Sequence, residues 1–286
     1  MKNFDLVIIG GGPAGISAAL YAKRAGVSVG VIHSGKGSLW KAEKIDNYYG
    51  FPGSINGTKL YQDGIEQART LGIEVVEDEV VGIGYMGTYQ VKGKTNEYES
   101  RALLIATGSK RTVPKIENFT DFEGKGVSYC AVCDGFFYRG KSVAVLGSGD
   151  YARAEAEELK NIATSVTILT NGEQPSADFS EFTVVIDKIT SIKGDERLGE
   201  VVFENGNTLP LSGLFVAIGV AGATDFAKKL GAVTKGAYIV TDESGRTNLP
   251  GLFAAGDCTG GLLQVSIAVS KGASAGLASV EFLRKK

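Results

Sequence analysis

One histidine, one tryptophan, two methionines and three cysteines are all that the 286 residues contain of those types. Three thiols are too few to staple a secreted scaffold. A zinc centre needs about four ligands, and one imidazole and a spare thiol do not supply them, so no metal site is expected. No apolar run approaches the roughly 18 residues of a membrane span. The opening run at residues 3–10 is short, carries Asp5 and leads into glycine, so it reads as a first strand and not as a signal peptide. Thirty basic and 32 acidic residues leave a formal charge of −2, which gives no general attraction to nucleic acid or to an anionic membrane. The expected compartment is the cytoplasm. Glycine, by contrast, is abundant at 40 residues, without the period of a fibre.

Many of those glycines fall in two fingerprints. Gly10-Gly11-Gly12-Pro13-Ala14-Gly15 follows a strand at 6–9 and opens a helix at 13–25, with the next strand at 28–32. This βαβ context supports a dinucleotide site. Gly10 allows the tight turn, Gly12 lets the backbone approach a pyrophosphate, Gly15 lets the helix close on the strand, and the helix N-terminus attracts the phosphate. The second strand ends Ile32-His33-Ser34 without the usual acid, so His33 or Ser34 is expected at the adenosine. Ala106-Thr107-Gly108 and Ala255-Gly256-Asp257 end two further strands, and Asp257 suits a sugar-alcohol hydroxyl. Together these favour FAD over NAD at the first site. A long polar loop spans 35–56, Thr58 is placed as the cap of a helix at 58–71, and residues 80–100 suggest an antiparallel meander.

Gly147-Ser148-Gly149-Asp150-Tyr151-Ala152, between a strand at 142–146 and a helix to about 161, is the second fingerprint. Between the two fingerprints lies Cys130-Ala131-Val132-Cys133-Asp134. Two thiols at this spacing close a small ring, accept two electrons as a dithiol and pass them on by exchange. A structural disulfide is the other reading, but such bonds are rare in the cytosol. Asp134 is the best placed general acid or base. Cys258 reads as a buried, inert thiol.

Residues 3–20, 102–109, 126–140, 214–219 and 251–257 together resemble the low-molecular-weight thioredoxin reductases, and the resemblance covers nearly the whole chain. The run from Cys130 to Tyr138 is especially specific. The resemblance implies an α/β fold of two Rossmann-like, three-layer ββα domains, the second inserted in the first. These are residues 1–112 and 221–286 for FAD, and residues 113–220 for the cysteine pair. It further implies that Cys133 faces the flavin, that Cys130 attacks thioredoxin, that Asp134 handles the proton, that the domains rotate between two states, and that the enzyme is a homodimer. Candidate flavin contacts are Gly10, Gly12, Pro13, Ala14, Gly15, His33, Ser34, Trp40, Asn47, Val80, Ala106, Thr107, Gly108, Gly256, Asp257, Gln264 and Val265.

The second fingerprint departs from that family. NADPH-dependent members follow the next strand with His-Arg-Arg, whose guanidinium forks hold the 2′-phosphate. Here the strand at 166–169 runs into Thr170-Asn171-Gly172-Glu173-Gln174-Pro175, with no arginine and with an acid that repels phosphate. Only residues 171–182 separate that strand from the next, so the usual crossover helix is expected to be short or missing. Tyr151 and Arg153 add bulk near the turn. Leu262-Leu263-Gln264 lacks the arginine that NADPH-dependent relatives carry before the glutamine. These losses resemble the ferredoxin-dependent flavin thioredoxin reductases, with Lys36, Lys41, Lys44, Lys110 and Arg111 as candidate basic contacts for an acidic iron–sulfur donor. The alternatives are an NADPH-dependent reductase with a divergent phosphate site, a flavin dithiol oxidase, and a flavin-binding redox sensor.

Overall fold

Leu6-Val7-Ile8-Ile9 is buried at every position, as befits a strand covered on both faces. In the computed structural model these residues end the first strand, β1 (Lys2–Ile9). The model describes residues 1–35, 37–108, 114–129, 131–219 and 222–285, without the side chains of Lys41 and Cys133. After β1 come α1 (Pro13–Arg24) and β2 (Val29–His33), the latter parallel to β1. Next is α2 (Gly57–Thr70). Its cap is Asn56, whose side chain accepts from the N–H groups of Thr58 and Lys59 at 2.9 and 3.3 Å, so the cap expected at Thr58 stands two residues earlier. β3 (Glu74–Glu77) then adds to β2 in parallel.

β4 (Val80–Tyr85), β5 (Tyr89–Gly93) and β6 (Glu97–Ile105) form the meander. Its last strand does not stop at residue 100. The first half of β6 pairs antiparallel with β5, and the second half runs on into the parallel sheet. The sequence pattern changes within one strand because its surroundings change. Residues 97–101 alternate, whereas Ala102-Leu103-Leu104-Ile105 is uniformly buried.

The chain forms two compact units, Met1–Arg111 with Gly222–Lys286, and Thr112–Ala221. The second contains β7 (Val127–Ser128), the short α3 (Ala131–Asp134), β8 (Ser142–Leu146), α4 (Asp150–Lys160), β9 (Ser165–Leu169) and β10 (Thr183–Val185). β11 (Ile189–Gly194), β12 (Leu198–Phe203), β13 (Thr208–Pro210) and β14 (Gly213–Val216) complete it. The sheet order is β10-β9-β8-β14-β7, all parallel. β11, β12 and β13 make a separate antiparallel sheet whose Ile192, Val201 and Phe203 pack with Leu146, Leu214 and Val216 of the parallel one. The crossover from β9 to β10 contains no helix.

The first unit resumes with α5 (Ala223–Leu230), the ribbon β15 (Thr234–Lys235) and β16 (Tyr238–Ile239), β17 (Leu252–Ala254) and α6 (Val265–Arg284). β17 pairs parallel with β6 along Leu103–Ile105, beyond the stretch that β5 occupies, so two strands share one edge of β6. Helix α6 lies directly on α1. A Cβ at Gly272 would stand 2.1 Å from the Ala14 carbonyl, and one at Gly276 would stand 2.5 Å from that of Ala18. The two helices approach so closely that only glycine fits at these two positions. Among the described residues, no helix is long and apolar enough to cross a membrane. Both units are Rossmann-like, and the fold is α/β.

Candidate active site

Parallel pairing fixes the first site. Ile9 lies opposite Ile32 and Ile105, and Ile105 lies opposite Ala254. Gly10, Ser34, Ala106 and Ala255 therefore leave the sheet at one edge, the carboxyl edge where such sheets bind ligands. A Cβ at Gly10 would fall 2.3 Å from the Ala106 carbonyl, and one at Gly15 would fall 1.8 Å from that of Gly10. Gly12 is the opposite case. Nothing among the described residues lies within 4 Å of its Cβ direction, and no side chain caps α1. The first turn, Pro13-Ala14-Gly15-Ile16, carries no acid. Open space in front of free helix-end amides suits a pyrophosphate.

The other candidates surround this opening. His33 ends β2 and is buried. Its Nδ1 accepts the Gly35 N–H at 3.2 Å and lies 2.9 Å from the Tyr61 hydroxyl. Burial lowers the basicity of its imidazole, helped by Arg69 and opposed by Glu77. Val80 is buried at the start of β4, two residues after Asp78, whose N–H donates to the His33 carbonyl. Trp40 sits in a 3-10 turn, Ser38–Lys41, with its ring 6.0 Å from that of Tyr61, and packs on the first core, where it anchors the long loop. Asn47 Nδ2 donates to Gln264 Oε1 at 2.9 Å and ties that loop to the start of α6, where Val265 is the first residue. Gly256 and Asp257 open a 3-10 turn. Burial raises the Asp257 carboxyl above its ordinary range, with Lys271 opposing. Thr107 and Gly108 follow β6, and Gly108 has a φ of +80°. An FAD would thus meet Gly12 and the α1 amides at its pyrophosphate and Asp257 at its ribityl chain. The residues present fit it.

Cys258 is fully buried, with its thiol donating to the Ala255 and Ile105 carbonyls at 3.2 and 3.4 Å, and burial pushes it up to about 12. Its burial and raised thiol keep it in the protonated, poorly nucleophilic form.

The second unit repeats the glycine turn with a different outcome. A Cβ at Gly147 would lie 2.2 Å from the Ala217 carbonyl, which matches the constraint on Gly10. Here, however, the chain covers its own turn. The Ser176 N–H and hydroxyl both donate to the Ser148 carbonyl, at 2.7 and 3.0 Å. The Ser148 hydroxyl donates to Glu173 Oε2 at 2.5 Å. Asp150 adds an acid in the first turn of α4. Glu173 is held in turn, because the Thr170 hydroxyl donates to its carbonyl at 2.6 Å. Tyr151 is buried in the first turn of α4, and Arg153 turns to Asp178 at 3.6 Å.

Around the cysteine motif, Cys133 lies in α3, and Cys130 falls outside the described residues. The half-buried Asp134 accepts the Ser128 hydroxyl at 2.6 Å. Val132, Phe136 and Phe137 are exposed by 52, 68 and 67%. Two residues escaped the sequence reading, Ser128 and Glu155. Glu155 is buried and accepts the Ala131 N–H at 2.7 Å. The signal for it was an acid on the apolar face of α4, in line with Tyr151 and Leu159. Of the five basic residues considered for donor docking, Lys44 is described and exposed. Lys36, Lys110, Arg111 and the Lys41 side chain lie outside the described residues.

Residues 4–272 match the family model "Pyridine nucleotide-disulphide oxidoreductase". A thioredoxin reductase of Aquifex aeolicus is 32% identical over all of this chain and 95% of its own length. The chain belongs to the thioredoxin reductase family. Within it, an atypical thioredoxin reductase, TRi, from Desulfovibrio vulgaris Hildenborough superposes with a TM-score of 0.93. It is 40% identical and covers 100% of this chain and 99% of its own. A ferredoxin–flavin thioredoxin reductase from Clostridium acetobutylicum gives a TM-score of 0.73 at 32% identity, with both chains fully covered.

Proposed function

We propose that this chain reduces the disulfide of thioredoxin, using FAD in the first unit and the Cys130/Cys133 pair in the second, with electrons from reduced ferredoxin and not from NADPH. The observation that carries the choice of donor is the contrast between the two glycine turns. At Gly12 the approach is open and no acid faces the helix end. At Gly149 the chain supplies Glu173 and Ser176, and a pyrophosphate would meet a carboxylate where it needs amides. The helix-less crossover from β9 to β10 and the absence of arginine in residues 170–176 remove the adenosine end as well.

When bound, FAD accepts electrons singly from a one-electron donor and delivers them as a pair. The chain's own residues do the rest. Two electrons break the Cys130–Cys133 bond, Cys130 then attacks the thioredoxin disulfide, and Cys133 displaces reduced thioredoxin as the bond of the pair re-forms. Asp134, steadied by Ser128, supplies the proton to the departing thiolate. The exposed Val132, Phe136 and Phe137 beside the motif suit contact with a protein substrate. We assign the working form as a cytoplasmic homodimer with no nucleic-acid or membrane partner.

The test is turnover of thioredoxin disulfide by the anaerobic holoprotein with reduced ferredoxin, NADPH or NADH in turn. Turnover with ferredoxin alone supports the proposal. NADPH-driven turnover at a comparable rate favours the divergent-site reading. Oxidation of dithiols by oxygen, with no thioredoxin reduction, favours the oxidase reading.

A further inference from the structure

Glu155 stands on the buried face of α4, among Tyr151, Ala152, Ala156 and Leu159, and is 1% exposed. An acid in that position is costly unless it is hydrogen-bonded. Its Oε2 accepts the N–H of Ala131 at 2.7 Å, the length of a charge-assisted bond. Ala131 is the first residue of α3 and stands between the two cysteines. The turn that follows rests on the same helix, since a Cβ at Gly135 would meet Leu159 at 3.1 Å. The described main chain at Ala131 and Gly135 therefore rests on α4, with that helix's one buried acid against the Ala131 N–H. Asp134 is the other acid at this turn, and Ser128 binds it.

We propose that Glu155 is a positioning residue of the cysteine pair, whose negative charge makes the reduced pair a stronger electron donor. The inference rests on the redox role proposed above. In the exchange, the two thiols of the reduced pair give up two electrons and two protons. A sulfur–sulfur bond forms between Cys130 and Cys133 while that of thioredoxin breaks, and the electrons and protons reappear as thioredoxin's two thiols. The attacking species is a thiolate, and a dithiol whose reduced form is stabilised becomes an oxidant. A buried carboxylate beside the motif does the reverse. It disfavours thiolate, hence the reduced pair, and drives electrons outward to the substrate. The cost is a smaller thiolate fraction for the attack itself.

Glu155→Gln keeps an acceptor for the Ala131 N–H and removes the charge, whereas Glu155→Ala removes both. The full-length holoprotein is equilibrated at fixed pH with graded mixtures of a dithiol and its disulfide, and the pair is read by alkylation and mass. Glu155→Gln is expected to shift the equilibrium several-fold toward the reduced pair. Its reduced pair should also react with iodoacetamide roughly threefold faster. That figure is the net of an about tenfold gain in thiolate and a lower nucleophilicity of the less basic sulfur. Should Glu155→Gln not fold, Glu155→Ala, which leaves no polar atom to bury, carries the same comparison. An unchanged equilibrium in a folded variant, with the wild-type pair exchanging normally, overturns the inference and leaves the redox reading intact. A wild-type pair that does not exchange at all overturns that reading itself.

Discussion

The Ser148 hydroxyl donates to the Glu173 carboxylate at 2.5 Å, across the mouth of the second glycine turn. One chain thus contains a fingerprint left open and a fingerprint closed by its own side chains. Replacing Thr170-Asn171-Gly172 by His-Arg-Arg supplies guanidinium groups for a 2′-phosphate but leaves Glu173, Ser176 and the helix-less crossover in place. The variant is expected to remain inert to NADPH, measured as flavin reduction in a stopped-flow mixing experiment. Efficient reduction would show that closure of the turn does not govern donor choice.

Cys133→Ser should retain its flavin, because the residues that would hold it belong to the first unit and Cys133 to the second. Reduction of thioredoxin should fall to background. Turnover that persists would remove Cys133 from the electron path.

Asp134→Asn keeps the shape and an oxygen to accept the Ser128 hydroxyl but holds no acidic proton. A loss of about 10²-fold in thioredoxin turnover is expected, the lower end of what a positioned acid contributes. Flavin reduction by the donor should be unaffected. A variant slow in both steps would point to a structural role.

Asp78 gives a stability prediction. Burial alone would raise its carboxyl, but donation from Tyr98, Thr95 and Asn96 outweighs that and holds it below the usual range. A carboxylate with a depressed value in the folded state stabilises fully above its unfolded value, and that contribution disappears as pH falls through the folded one. Asp78→Asn should therefore cost about 1–3 kcal/mol near neutrality and progressively less in acid. Urea unfolding across that pH range checks it. An equal cost at every pH would assign the effect to packing.

Gly272→Leu should prevent α6 from seating on α1, since even a Cβ meets the Ala14 carbonyl at 2.1 Å. Overpacking of this kind costs typically 1–3 kcal/mol. Because Ala14 lies in the first turn of α1, flavin affinity should weaken as well. Thermal unfolding and flavin retention on a desalting column report the two effects separately.

The glycine turns were legible in the sequence because Gly10 and Gly147 answer to local geometry, a strand feeding a helix past a neighbouring carbonyl. A short or missing crossover helix was legible from chain length, since residues 171–182 are at the lower limit for a crossover connection. What escaped was decided by tertiary packing. Asn56 and Thr58 are both good caps, and only the fold selects Asn56. The strand β6 changes character at Ala102 because β5 gives way to β17 along its edge. β11 (Ile189–Gly194) has register shifts and mixed exposure, so its pattern is broken in the sequence. Glu155 falls at helical spacing between Tyr151 and Leu159, but its partner, the Ala131 N–H, comes from a separate turn that the spacing within α4 does not reveal.

The central claim is that electrons enter through the open first site from a one-electron donor and not through the closed second turn. The most direct measurement mixes the oxygen-free holoprotein with reduced ferredoxin, NADPH and NADH separately and follows the visible absorbance of the flavin. Bleaching by ferredoxin alone, reversed by oxidised thioredoxin, is the predicted result. Rapid bleaching by NADPH at one equivalent would contradict it.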